Sequence, residues 1–149
     1  MKLMKNQQRN QLRNKLRNIT KFFNNMTQIK RIGIDEKWAD SLVTEAGNFV
    51  FVGYCMKYEG ECITKQIEGA FEVLIERLAS VNLKLDNVVK MNCLFKNIED
   101  LKYLPDIIKQ KFNGNYPSRI AYTSDFIREG ILFQLDAIAY NPNKQWKTR

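Results

Sequence analysis

The sequence contains no histidine, which removes Ser-His and Cys-His nucleophile pairs, imidazole acid–base chemistry and His-based metal sites in one step. Any catalysis must rest on Arg, Tyr, carboxylates, backbone amides and water. Cysteine is scarce: Cys55, Cys62 and Cys93 are odd in number and form no C-x-x-C pair. Neither a disulfide framework nor a zinc knuckle is expected, and reduced, partly buried thiols in an intracellular compartment are. No apolar run approaches the ~20 residues of a membrane span, so the chain is expected to be soluble, with no membrane partner.

Acidic residues are missing from the first 34 positions, which hold nine Lys or Arg; the remainder carries 15 basic and 16 acidic residues. The net charge of +8 therefore belongs to a leader, and the rest of the chain is close to neutral. A nucleic-acid-binding domain carries its positive field on a folded face, which weighs against nucleic acid as the partner. In the leader, Leu12, Leu16, Ile19, Phe23 and Met26 recur at helical spacing, and Arg9, Arg13, Arg17 and Lys21 repeat every four residues on another face. Residues 1–25 are read as a basic amphipathic leader, either a mitochondrial transit peptide or a solvated, disordered tail, with translation from Met26 as a third reading. The compartment is accordingly the mitochondrion if the leader is a transit peptide and the cytoplasm otherwise. Residues 26–149 are read as one domain.

From Trp38 the texture changes. "WADSLVTEAGNFVFVGYC" reads as two strands around a turn at Ala46-Gly47-Asn48. "TKQIEGAFEVLIERLASV" places Ile67, Ala70, Phe71, Leu74 and Leu78 on one face of a helix, with Glu68, Glu72 and Glu76 opposite as a solvated stripe. "DNVVKMNCLF" reads as a strand. "NIEDLKYLPDIIKQKF" reads as a helix capped by Asn97, kinked or restarted at Pro105 and ended by Asn113-Gly114. "SRIAYTS" and "ILFQLDAIAY" are the last strands, and Trp146 in the terminal "NPNKQWKTR" is expected to dock back or lie at an interface. The order β-β-α-β-α-β-β, with two helices on one face of a mixed sheet, is an α+β layer.

Within "NYPSRIAYTS", Arg119 stands two residues after Pro117 at the mouth of a half-buried segment. From the residues alone it holds either an anion or a structural ion-pair partner. The segments "AGNFVFVGY", "LDNVVKMNCLFKNIEDL", "YPSR" and "LDAIA", between Gly47 and Tyr140, resemble the RidA/YjgF family of reactive-intermediate deaminases, also called the endoribonuclease L-PSP family. The resemblance implies a chorismate-mutase-like single domain assembled as a homotrimer, with a site in each cleft between subunits. It also implies hydrolysis of 2-imino acids to 2-keto acids and ammonia, with no metal and no organic cofactor. Arg119 sits at the position of the arginine that binds the substrate carboxylate. A guanidinium fixes a carboxylate through two parallel hydrogen bonds, and the backbone N–H of Ala121 is a candidate further donor. Positioning then contributes much of the catalysis of water addition to C=N.

Several positions depart from the family pattern. Gln134 replaces the glutamate thought to orient the attacking water; an amide holds water but is no base. Its alternative role is an inward polar residue bonded within the trimer. Gly53-Tyr54 replaces a Ser-Gly pair: Gly53 allows close backbone approach, and Tyr54 either offers a hydroxyl to substrate or is a packed aromatic. Asp40 falls at a family tyrosine and is expected to point elsewhere or take part in different chemistry. Pro105 falls at a family asparagine. Arg119 and Gln134 are thus the candidate catalytic residues, with Arg119, Gly53, Tyr54 and Ala121 binding substrate. The leading expectation is deamination of 2-iminobutanoate or 2-iminopropanoate with altered specificity. The alternatives are a non-catalytic trimer binding a small carboxylate, and an RNA-binding protein or ribonuclease.

Overall fold

The computed structural model describes residues 2–26 and 29–144. Lys2–Met26 forms helix α1, and its described side chains, residues 6–21, are all exposed. Ile29–Asp35 (β1), Asp40–Ala46 (β2) and Phe49–Cys55 (β3) follow as an antiparallel meander. Next come α2 (Ile63–Ala79), β4 (Val88–Phe95), a 3-10 segment (Ile98–Tyr103) running into α3 (Leu104–Phe112), β5 (Ser118–Thr123) and β6 (Phe133–Tyr140). The sheet order is β1-β2-β3-β6-β4-β5, with β4 and β5 parallel and every other pair antiparallel. The α+β class and mixed sheet are as expected, with one strand more. β1 is largely exposed on both faces, so it carries no buried alternation for a sequence reading to find.

Local chemistry accounts for the boundaries. Gly47 takes a left-handed φ of 61° between paired Ala46 and Phe49, a conformation that suits glycine in a tight hairpin. Asn97 accepts a hydrogen bond from the Glu99 N–H at 3.1 Å and starts the 3-10 segment. Pro105 stands in the first turn of α3, where its missing N–H costs nothing, so it restarts the helix. Asn113, in the left-handed region, ends it.

Val43, Val50, Val52, Met91, Cys93, Phe95, Phe133, Leu135, Ala137 and Ala139 line the sheet face against α2 and α3. Ile67, Ala70, Phe71, Leu74 and Leu78 come from α2, all at 0% exposure. Full burial of a large apolar side chain contributes ~1.5–3 kcal/mol. Phe71, edge-on to Phe112 with centroids 6.1 Å apart, ties α2 to α3. The glutamates opposite are a divided row: Glu72 accepts from Lys57 at 2.7 Å and from the Tyr58 hydroxyl at 2.9 Å, and Glu68 pairs with Lys111 at 2.6 Å. Among the described residues no helix is long and apolar enough to cross a membrane. Trp146 lies outside the described residues.

Among the described residues no helix of the core covers the other sheet face. In one row across it, Phe51 pairs with Ile138; in the next, Asp136, Asn92 and Ile120 are in register; in a third, Gln134, Leu94 and Tyr122 are. Phe51, Ile120 and Tyr122 are exposed there, an apolar surface of the kind that marks interaction sites.

Candidate functional site

Arg119 lies on β5, the sheet edge, in register with Met91 of β4 and, through it, Ala137 of β6. Met91 and Ala137 face the helices, so strand alternation puts Arg119 on that side, beside α3. Its side chain is exposed and lines a hollow of about 370 Å³ with Met91, Pro105, Ile108, Lys109, Tyr116 and Pro117. Among the described residues no acidic side chain pairs with Arg119. Lys109, the second cation there, is held only by exposed Asp106 at 3.3 Å. Because β5 has a strand on one side only, part of its backbone polar row is left without a ladder partner. Ala121, two residues on, packs against the core.

Gln134 is in the opposite situation. Its neighbours Phe133 and Leu135 are buried under the helices, so Gln134 faces the open side. It lines a second hollow, of about 280 Å³, with Trp38, Asp40, Tyr54, Met56, Phe126, Ile127 and Arg128. The structure therefore brings Tyr54 and Gln134 together and sets Arg119 apart from both. Asp40 does not point away: it lines this hollow, and its Oδ1 is buried with no hydrogen-bond partner. It begins β2 directly after the turn that carries Trp38, which turns both toward the hollow.

A β-bulge shapes this half. Val52 pairs with Ala137 and Cys55 with Leu135, so Gly53 and Tyr54 stand where the partner strand has a single residue. The close approach at Gly53 is to β2: a Cβ there would lie 3.2 Å from the Ser41 carbonyl oxygen. Arg77 of α2 closes the bulge from beneath. Its Nη1 donates to the Gly53 carbonyl at 3.1 Å and to the Tyr54 carbonyl, with its guanidinium 5.5 Å from the Tyr54 ring centroid. Burial pushes the adjacent Cys55 thiol up to about 12, with the Arg77 charge opposing. Cys93 is raised likewise to about 12 by burial, with Arg119 the opposing charge, whereas Cys62 is exposed, not partly buried.

Gln66 anchors the remaining wall. Fully buried in α2, it donates to the carbonyls of Glu61 (2.9 Å) and Gly130 (2.8 Å) and accepts from the Leu132 N–H at 2.8 Å. That fixes the end of the segment carrying Phe126, Ile127 and Arg128. Neither Arg77 nor Gln66 is marked by the sequence, because a polar residue inside a helical pattern looks like its solvated face.

An α+β unit with an arginine that has, among the described residues, no acidic partner on its free edge and a hollow on its open face suits a small-molecule-binding protein. The profile of the Endoribonuclease L-PSP family matches residues 37–141, and the chain belongs to that family, the RidA/YjgF group. It is 38% identical to a solved Streptococcus pyogenes M1 GAS protein described as a member of the highly conserved yjgF family, with a TM-score of 0.75 over 78% of this chain and 98% of that one. It is 24% identical over 107 residues to a RutC family protein of Pyrococcus abyssi, covering 67% of this chain and 84% of that protein. Human 2-iminobutanoate/2-iminopropanoate deaminase is 29% identical over 77 residues, covering 52% of this chain and 56% of its own length. The family is one of small-molecule-binding, oligomeric proteins and includes members without catalytic activity.

Proposed function

We propose that the chain is a hydrolytic deaminase of reactive 2-imino acids, of the 2-iminobutanoate and 2-iminopropanoate type, working as a homotrimer. In this reading Arg119 of one copy and the Gln134 hollow of a neighbour make up each site. The observation that carries it is Arg119, a cation without an acidic partner beside a hollow on the free edge of β5. Alternation puts Arg119 and Gln134 on opposite faces of one sheet, so one copy cannot close both around a small acid. The apolar surface at Phe51, Ile120 and Tyr122 gives a second copy somewhere to bind. Arg119 grips the substrate carboxylate through paired hydrogen bonds, fixing C2 of the imine over the neighbour's hollow. Gln134 and Tyr54 orient water there, and the products are a 2-keto acid and ammonia. In the same reading the protein works in the mitochondrion if residues 1–25 are a transit peptide, and otherwise in the cytoplasm.

The test couples the protein to a dehydratase that releases 2-iminobutanoate from threonine or 2-iminopropanoate from serine. Wild type should accelerate keto-acid release, and Arg119→Ala should lose about 2 to 5 kcal/mol of transition-state binding. Equal, negligible acceleration by both proteins sinks the reading. Gln134 favours one second reading, a trimer that binds a small carboxylate without turnover. 2-Oxobutanoate would then raise the melting temperature with no imine hydrolysis above background.

A further inference from the structure

The Gln134 hollow contains one carboxylate, Asp40. Its Oδ1 is, among the described residues, the buried side-chain nitrogen or oxygen left without any hydrogen-bond partner. A buried acceptor with no donor is a standing cost of the kind retained at functional sites. The other polar lining groups are the Gln134 amide, the Tyr54 hydroxyl and the Arg128 guanidinium. An amide, a phenol hydroxyl and a guanidinium are not Brønsted bases toward water, whereas a carboxylate is an acceptor that can take a proton from it in the transition state. Trp38, Met56, Phe126 and Ile127 make up the apolar wall around them. Water addition to C=N in this hollow therefore has one candidate proton acceptor.

We infer that Asp40 is the general base of the hydrolysis, acting on a water held with Gln134; this rests on the deaminase reading above. As the water oxygen bonds to C2 of the iminium, Asp40 accepts its proton and the C=N electron pair moves to nitrogen. Asp40 then returns the proton to the amino nitrogen of the carbinolamine. The C–N bond breaks with its electrons leaving on ammonia, the carbonyl forms, and the hydroxyl proton passes back to Asp40 and then to solvent. One water is consumed, one ammonia and one proton leave, and nothing is oxidised or reduced.

The test uses Asp40→Asn and Asp40→Ser, each alone and combined with Gln134→Glu, in the coupled assay on the full chain. Each single variant should lose at least about 100-fold in kcat with little change in KM. Adding Gln134→Glu, which puts a carboxylate back into the same hollow, should restore at least about tenfold of that loss. A purely structural role for Asp40 predicts no such rescue. Single variants within about twofold of wild type, or loss without rescue in both backgrounds, overturn the assignment. An inactive wild type instead removes the deaminase reading, so the two failures are distinguishable.

Discussion

Replacing Arg77 by methionine keeps an apolar stem beneath β3 and removes the donors to the Gly53 and Tyr54 carbonyls. Those carbonyls lie at the bulge, where the ladder to β6 shifts register. Hydrogen bonds from charged donors are worth about 1.5 to 3 kcal/mol each, and the half-burial of this segment lowers the sum, leaving about 2 to 4 kcal/mol. In a domain of this size that corresponds to roughly 10 °C in melting temperature. Urea and thermal denaturation of Arg77→Met beside wild type give the number directly. Tyr54 should also lose its fixed position over the guanidinium, so kcat/KM in the coupled assay should fall together with stability. A variant within about 0.5 kcal/mol of wild type would refute the reasoning, because the bulge would then stand without its cation.

Gln66→Leu removes three hydrogen bonds from a fully buried site and should cost roughly 3 kcal/mol in urea denaturation, with faster proteolysis in the segment after β5. Asp136 is held above its ordinary carboxyl value of 3.8, chiefly by burial, with the Asn92 hydrogen bond opposing. Folding therefore favours its protonated form; the stability this gives is present below the unfolded value and is lost as pH rises through the folded one. Asp136→Asn should match wild type at about pH 3 and exceed it at about pH 7 in a denaturation series, and a gap that narrows with rising pH contradicts this.

The parts of the fold legible in the sequence are those with a strong period. Ile67, Phe71, Leu74 and Leu78 announce α2 at helical spacing, and the alternation in "FQLDAIAY" announces β6, because each element buries one face. β1 carries no such signal for the converse reason, since an edge strand exposed on both sides has no buried set to repeat. The bulge at Gly53-Tyr54 is a register event between two strands, and no local pattern in "VGYC" encodes it. The site divides in the same way. Arg119 was legible from Pro117 and its strand, but the grouping of Asp40 with Tyr54 and Gln134 depends on three strand segments meeting. Reasoning that a carboxylate would repel an acidic substrate pointed Asp40 elsewhere. Asp40 instead lines the Gln134 hollow, which leaves the alternative of different chemistry there.

In the proposed function a carboxylate is held by Arg119 between two copies of the chain. A crystal structure with 2-oxobutanoate bound tests this most directly. The expected map shows the ligand carboxylate paired with Arg119 of one copy, its keto carbon facing Gln134, Tyr54 and Asp40 of the next. Ligand bound away from Arg119, or an Arg119 side chain free in solvent with no neighbour across the hollow, would contradict it.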